Sequence, residues 1–350
     1  MTIKFIVKDI ATYNCEINTV IPFSGSIRRC RFCKKSEADG VSFKNKAHAI
    51  SEALGNHNLI YEEECDSCNQ NLSKIEQHLV NLVSPLLSTY GIKSKSKKGK
   101  DDIRGINAPS FRFENKNSLY ILYLDKDLSN TVFGTKIAPK EPSSFDFSDK
   151  LKWHSFVPSN VYRTICKYVV STAPSEYLWL FDKTIEWVND CKCDTSNCVV
   201  LYSTTNESVD NPRIMSFILQ SESEENFFVF AFLRIANLLI SFEVPSIYNS
   251  QLFSKSFKTK IFMSFIQKLN LSNNFKELDL SSEDKSCMEF KFSLDLDPSL
   301  VDGKDFFTID SKKSIECLMA KESKLWDVTN RGHVEICKFM KAFCDNSKKI

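Results

Sequence analysis

The chain has 350 residues, 42% of them hydrophobic and 12% aromatic, which is enough apolar material for two or three packed domains and too much for a disordered chain. Its formal charge of only +2 excludes a uniformly basic coat, so any attraction to a polyanion must come from a local patch. No secretory pattern opens the chain, and its longest apolar run, residues 227–242, is interrupted by Arg234 and Asn237 and is shorter than the ~20 residues of a spanning helix. A cytoplasmic protein with no membrane partner is therefore expected, whose thirteen cysteines are thiols and metal ligands rather than disulfides.

In chain order, Ile3-Lys-Phe5-Ile-Val7 alternates apolar and polar residues and predicts a leading strand ahead of the first cysteine pair. Two Cys-x-x-Cys knuckles come next, Cys30-Arg-Phe-Cys33 and Cys65-Asp-Ser-Cys68. Each tight turn aims two sulfurs at one point, and four thiolates at this paired spacing match a closed tetrahedral Zn²⁺ site. Such a site has no open position for water, so its role is structural, substituting for the core that so small a segment lacks. Between the knuckles lies His48, and Asn69 directly follows the last cysteine. Taken alone, Asn69 reads as a helix N-cap, since Leu72 to Leu87 continues with helical spacing.

This combination over residues 28–82 resembles the HNH endonucleases, which carry the ββα-metal fold. The resemblance implies that His48 is the general base, that Asn58 fixes the loop between two strands, and that Asn69 opens the helix as a ligand of a catalytic cation. It implies hydrolysis of DNA phosphodiester bonds, with Mg²⁺ or another divalent ion as catalytic cofactor, and often a role in defence against foreign DNA. An imidazole titrating near ~6.5 is suited to taking a proton from water at neutral pH. A hard cation held by an amide and a carboxylate would neutralise charge on the phosphate.

One position departs from the family pattern. Many relatives place an acidic residue or a second histidine before the base, whereas this chain has Ala47. The substitute ligand is sought in Glu52, in the loop after the base, or in Glu76, on the helical face of Asn69 about 10 Å along the axis. Ser73 shares that face but is a poor replacement, and Glu62, Glu63 and Glu64 stand behind. His57 and His78 read as surface residues, and His154 and His333 lie far from the motif.

Beyond the helix, residues 89–108 read as a basic linker whose Lys93, Lys95, Lys97, Lys98, Lys100 and Arg104 can follow a DNA backbone with sequence-independent, salt-sensitive affinity. Residues 109–350 read as a larger domain. Its expected strands are residues 110–114, 118–124, 198–202, 214–220, 227–232 and 238–244. Two helices are expected within 157–189, the first capped by Ser159, and a closing helix over 312–343. Cys191, Cys193 and Cys198 lack a second knuckle, which argues against a specific metal loop there. The expected organisation is α+β: a zinc-stapled module (1–88), the linker, and a domain that recognises substrate or binds a small-molecule or protein activator. The alternatives are a zinc-dependent nucleic-acid-binding protein that has lost cleavage, and a ligand-switched nuclease effector.

Overall fold

The computed structural model describes residues 5–95, 101–103, 106–107, 111–116, 119–125, 143–152, 154–190, 198–204, 208–221, 227–246, 275–286, 289–296, 307–310 and 315–321. The fold class is α+β, with mixed helices and largely antiparallel sheets. The first elements are β1 (Phe5–Asn14), β2 (Thr19–Ile21), β3 (Ala47–His48), β4 (Leu59–Tyr61) and the long helix α1 (Asp66–Thr89). Then come β5 (Lys93–Lys95), β6 (Asp101–Ile103), β7 (Ile106–Asn107), β8 (Phe111–Lys116), β9 (Leu119–Asp125) and β10 (Ser143–Lys152). Helices α2 (Pro158–Thr172) and α3 (Asp182–Asp190) precede β11 (Val199–Thr204), β12 (Arg213–Ser221), β13 (Phe227–Ile235) and β14 (Leu238–Val244). Strands β15 (Lys276–Asp279), β16 (Glu289–Leu296), β17 (Phe307–Asp310) and β18 (Ile315–Lys321) complete the described elements.

The chain divides into two compact units. One unit is Met1–Leu82 with Phe156–Ser286; the other is Val83–Ser155 with Cys287–Ile350. The cysteine-bearing segment thus shares a unit with residues 156–286.

In the first unit, an antiparallel sheet runs β1-β12-β13-β14-β11-β15. Strand β1 pairs along β12, Val7 opposite Leu219, so the expected leading strand belongs to this sheet and not to the cysteine segment. Phe228, Phe230 and Phe232 cluster with Leu201, Phe217 and Leu219 on one face. The alternate residues Val229, Ala231 and Leu233 are also buried. Burial on both faces explains why this strand reads as an unbroken apolar run rather than an alternation.

Helix α2 is buried along its length except at Asn160. It opens with Pro158 at the first helical position, where the missing N–H costs nothing and the fixed φ suits the helix. Val157, not Ser159, is the N-cap, and its N–H donates to Nδ1 of His78 at 3.0 Å. His78 is thus a half-buried acceptor and not the expected surface residue. Towards the sheet, Tyr162 donates to the Glu243 carbonyl at 2.5 Å and packs against Trp187 of α3 and Phe242 of β14. Towards α1, the Thr164 hydroxyl donates to the Ile75 carbonyl at 3.0 Å. A helix enclosed in this way must be apolar or internally paired all round.

The second unit holds a five-stranded sheet, β17-β18-β9-β8-β7, and the pairs β10-β16 and β5-β6. The expected linker therefore contains strands: Lys93 and Lys95 lie on β5, paired with β6. Lys97, Lys98, Lys100 and Arg104 lie outside the described residues. The expected closing helix is contradicted at its start, where Ile315–Lys321 forms a strand along β9, and residues 322–343 lie outside the described residues. Residues 191–197 also lie outside them, leaving Cys198 as the described, buried member of that cysteine loop. Among the described residues, no helix is long and apolar enough to cross a membrane.

Candidate metal centre and histidine loop

Cys30, Cys33, Cys65 and Cys68 come together, with their four sulfurs within 4.8 Å of one another. The Sγ atoms of Cys33 and Cys65 are 3.7 Å apart, close to the ~3.8 Å edge of a tetrahedron with Zn–S bonds of about 2.3 Å. The first knuckle is closed by the backbone: Lys34 N–H donates to the Cys30 carbonyl and Cys30 N–H to the Lys35 carbonyl, both at 2.9 Å. Lys34 has φ +61°, the left-handed turn that sends the chain back past the sulfurs. The second knuckle enters the first turn of α1, whose positive end favours thiolate charge.

The thiols depend on one another. A hydrogen bond from Cys68 holds the Cys30 thiol low, at about 5, against the opposing effect of burial, and backbone N–H groups of Cys33, Cys65 and Phe32 add to it. Cys33 is pushed up to about 11 by burial and by the charge on Cys30, and Cys68 is raised by its bond to Cys30. The Cys30 thiolate is thus favoured, while Cys33 and Cys68 resist deprotonation beside it, which a cation among the sulfurs would relieve. The donor set can hold a metal ion and fits structural zinc.

The first knuckle is docked to the helices of its unit through Arg31, which is 3% exposed. Its Nη1 donates to the carbonyls of Val170, Ser171 and Ala173, where α2 ends and its last carbonyls lack helical partners. Its Nε and Nη2 both donate to Oε2 of Glu63. Asn189 of α3 also donates to the Phe32 carbonyl at 2.7 Å.

Between the knuckles the chain runs strand, loop, strand, and the second knuckle opens the helix α1. Strands β3 and β4 are antiparallel, with His48 opposite Ile60, and β2 lies parallel on the other side of β4. Alternation on β3 buries Ala47, at 3% exposure, and turns His48 to the opposite face, where its side chain is 19% exposed. The first residue of the pair thus faces the core. His48 Nε2 is 3.9 Å from Oε2 of Glu52, and Oε1 of Glu52 is 3.5 Å from Nδ1 of His57. Sequence reasoning sets His57 aside as a surface residue; it is 35% exposed but shares Glu52 with His48.

The loop carrying these groups is fixed by a residue that sequence reasoning misses. Asn56 is fully buried; its Nδ2 donates to the carbonyls of Ile50 and Leu59, and its Oδ1 accepts from the N–H groups of Asn58 and Leu59. Gly55, at φ +97°, supplies the left-handed residue that ends the short turn Glu52–Leu54. Gly-Asn between two apolar segments is the available signal, because Asn favours such side-chain-to-backbone turns. Asn58, expected to fix this loop, instead donates to the Cys15 and Glu16 carbonyls at 3.1 Å each, tying the loop's end to the segment before β2.

Helix α1 opens at Asp66, so Asn69 lies within its first turn rather than at the cap, its N–H donating to the Cys65 carbonyl. Asp66 holds the approach to β3, accepting from the Ser42 hydroxyl and the N–H groups of Lys44 and Asn45. These bonds outweigh desolvation and hold its carboxyl below the usual range.

Glu76 is not free for a catalytic ion. Its carboxylate is 2.9 Å from Nζ of Lys167, which also lies 3.2 Å from Glu64. Burial alone would lower the Lys167 ammonium, but the two carboxylates outweigh it and raise it. Burial raises Glu64, which also accepts from the Tyr61 hydroxyl. Glu63 is committed to Arg31, the Glu62 carboxylate accepts from Phe23 N–H, and Ser73 bonds the Gln70 carbonyl. Among the expected substitute ligands, Glu52 stands beside His48.

No protein-family model, curated protein or solved structure matches this chain.

Proposed function

We propose that this protein is a metal-dependent nuclease of the HNH type that hydrolyses DNA, with His48 as general base and a structural zinc at the four cysteines. The observation that carries the reading is the path β3, loop, β4 between two joined knuckles and α1 from the second knuckle onward, with His48 on the first strand, turned away from the buried Ala47 and partly open to solvent. This is the order of elements that the ββα-metal resemblance implies.

In this reading His48 takes a proton from a water aligned on the scissile phosphorus, which requires a neutral ring held in one orientation. Asn56 fixes the loop and Glu52 stands against the ring, so little reorganisation is needed when substrate arrives. A divalent cation, when bound, would stabilise charge on the phosphate and the departing oxygen. The lysines of residues 93–100 and Arg104 would add salt-sensitive contacts to the DNA backbone. Defence against foreign DNA is the biological setting that the resemblance suggests.

A second reading, a zinc-dependent nucleic-acid-binding protein without cleavage, is favoured by the buried Ala47 and by the pairing of Glu76 with Lys167. Plasmid DNA incubated with zinc-loaded protein and Mg²⁺ or Mn²⁺ separates the two. Cleavage that disappears in His48→Ala, with zinc content and melting temperature retained, supports the nuclease. Binding with no cleavage under any divalent ion supports the second reading.

A further inference from the structure

Of the six large apolar side chains exposed among the described residues, four fall between positions 17 and 27: Ile17, Val20, Phe23 and Ile27. A contiguous apolar group left in water marks a surface that another molecule covers. We propose that the open face of the β2-β4-β3 sheet and the loop 22–29 form a wedge that parts a base step of duplex DNA, a few base pairs from the phosphodiester group presented to His48. In the nuclease reading, on which this rests, the substrate is thereby kinked as well as bound.

The register of the sheet sets where these side chains point. Val20 pairs with Ile60 and Ile60 with His48, so the three form one row across the strands and project from the same face. The next row, Ile21, Tyr61 and Ala47, projects from the other face and is buried. On the open row Ile60 is partly exposed and Val20 is 48% exposed, so the face stays apolar away from the proposed base. Two strand spacings place Val20 roughly 10 Å from His48, a length of about three base steps along a duplex.

Directly after β2, residues 22–27 are all exposed, while both ends of their loop are fixed. Phe23 N–H donates to Oε2 of Glu62 at 3.3 Å, Arg28 donates to the Glu62 carbonyl, and the Arg28 guanidinium lies 4.5 Å from the centre of the Phe43 ring. Between these anchors Gly25, at φ +90° with open space around it, turns the tip. A loop held at both ends has less to order on binding. Charge and position then select the partner. Residues 22–46 hold seven basic residues, of which Arg31 is buried, against two acidic ones, in a chain whose formal charge is +2. Exposed Lys46 and Lys44 lie two and four positions before His48. Such cations can hold phosphates while Phe and Ile side chains enter the base stack, whereas a neutral protein surface would leave them unmatched.

The test binds the zinc-loaded full chain, without added divalent ion, to a short duplex carrying a fluorescent adenine analogue at successive positions in turn, whose emission rises when the base leaves the stack. The parent protein should raise the emission at one position or more. In the double variant Phe23→Ser, Ile27→Ser the rise should be lost and duplex affinity should fall about tenfold. Affinity for a duplex mismatched at such a position, where the step is already loosened, should fall less than about twofold. Retained zinc and an unchanged melting temperature show that the variant is folded. Duplex binding with no rise at any position, or the same rise in the variant, overturns the proposal. So does loss of a dimer, or of binding to phosphatidylserine vesicles, in a variant that still binds and unstacks DNA, which would assign the surface to a second copy or to a membrane. Unstacking as described but no cleavage with Mg²⁺ or Mn²⁺ supports the wedge and removes the nuclease reading. Cleavage of the matched duplex that is equal in the variant keeps the nuclease and removes the wedge, and absence of any DNA binding removes both.

Discussion

Arg31 closes two of its guanidinium nitrogens on a single oxygen of Glu63, at 2.8 and 2.6 Å, while its third nitrogen covers the end of α2. The residue sits between Cys30 and Cys33, so the turn that positions two sulfurs also joins the cysteine segment to the helices. Replacing it by Ala leaves Glu63 buried without its countercharge, and breaking such a pair from one side costs about 3–5 kcal/mol. Urea unfolding of Arg31→Ala should show a loss of this size, with a smaller loss for Glu63→Gln, which keeps an acceptor. A change under about 1 kcal/mol in Arg31→Ala would mean that the knuckle is not anchored this way.

Metal removal should affect the helices as well as the knuckles. A site of four clustered sulfurs is completed by the cation it holds and does not exist in the unfolded chain, so the free energy of metal binding enters the folding free energy. A strong zinc chelator is expected to release one zinc per chain, expose the four thiols to a thiol reagent and lower the unfolding midpoint. Cys65→Ser, at a fully buried ligand, should do the same without chelator. Retention of the midpoint after complete zinc release would contradict the coupling.

The two loop asparagines should separate by stability. Asn56→Ala strands two carbonyls and weakens the hold on two N–H groups in a buried setting, for an expected loss of about 2–4 kcal/mol. Asn58→Ala removes two donations nearer the surface and should cost about 1 kcal/mol. Chemical denaturation of the two variants checks the order, and a larger loss at Asn58 would reverse the assignment.

A titration below neutrality is expected from His78. Burial first, then the cations Lys285 and Arg163, lower its pKa, and its neutral Nδ1 accepts from Val157 at the start of α2. A lowered histidine contributes stability that is present above its unfolded value of ~6.5 and lost as pH falls through the lower folded value. Urea midpoints should decline from about pH 6.5 downwards in the parent protein. That part of the slope should be absent in His78→Gln, which offers an acceptor that does not titrate. Identical slopes in the two proteins would rule His78 out as the source.

Features that depend on short spacing were legible in the amino-acid order alone. Two Cys-x-x-Cys turns declare a four-thiol cluster, the helical periodicity after Cys68 declares α1, and apolar runs bounded by turn residues declare β11 to β14 and the pair α2 and α3. In each case the signal and the structure it specifies lie within a few residues of each other. Which distant partner each polar side chain meets emerged only once the chain was folded. Glu76 reads as a ligand on the helical face of Asn69 until Lys167, 91 positions later, is placed against it. Arg31 stands between two cysteines with no partner in view until the carbonyls of Val170 to Ala173 arrive, and the strand around Ile3–Val7 reads as leading into the cysteines until β12 pairs with it. Periodicity reports which face of an element is apolar; it carries no record of the element that will cover that face. Buried charges and strand edges, which must be satisfied by whatever packs against them, are therefore fixed only when the chain closes on itself.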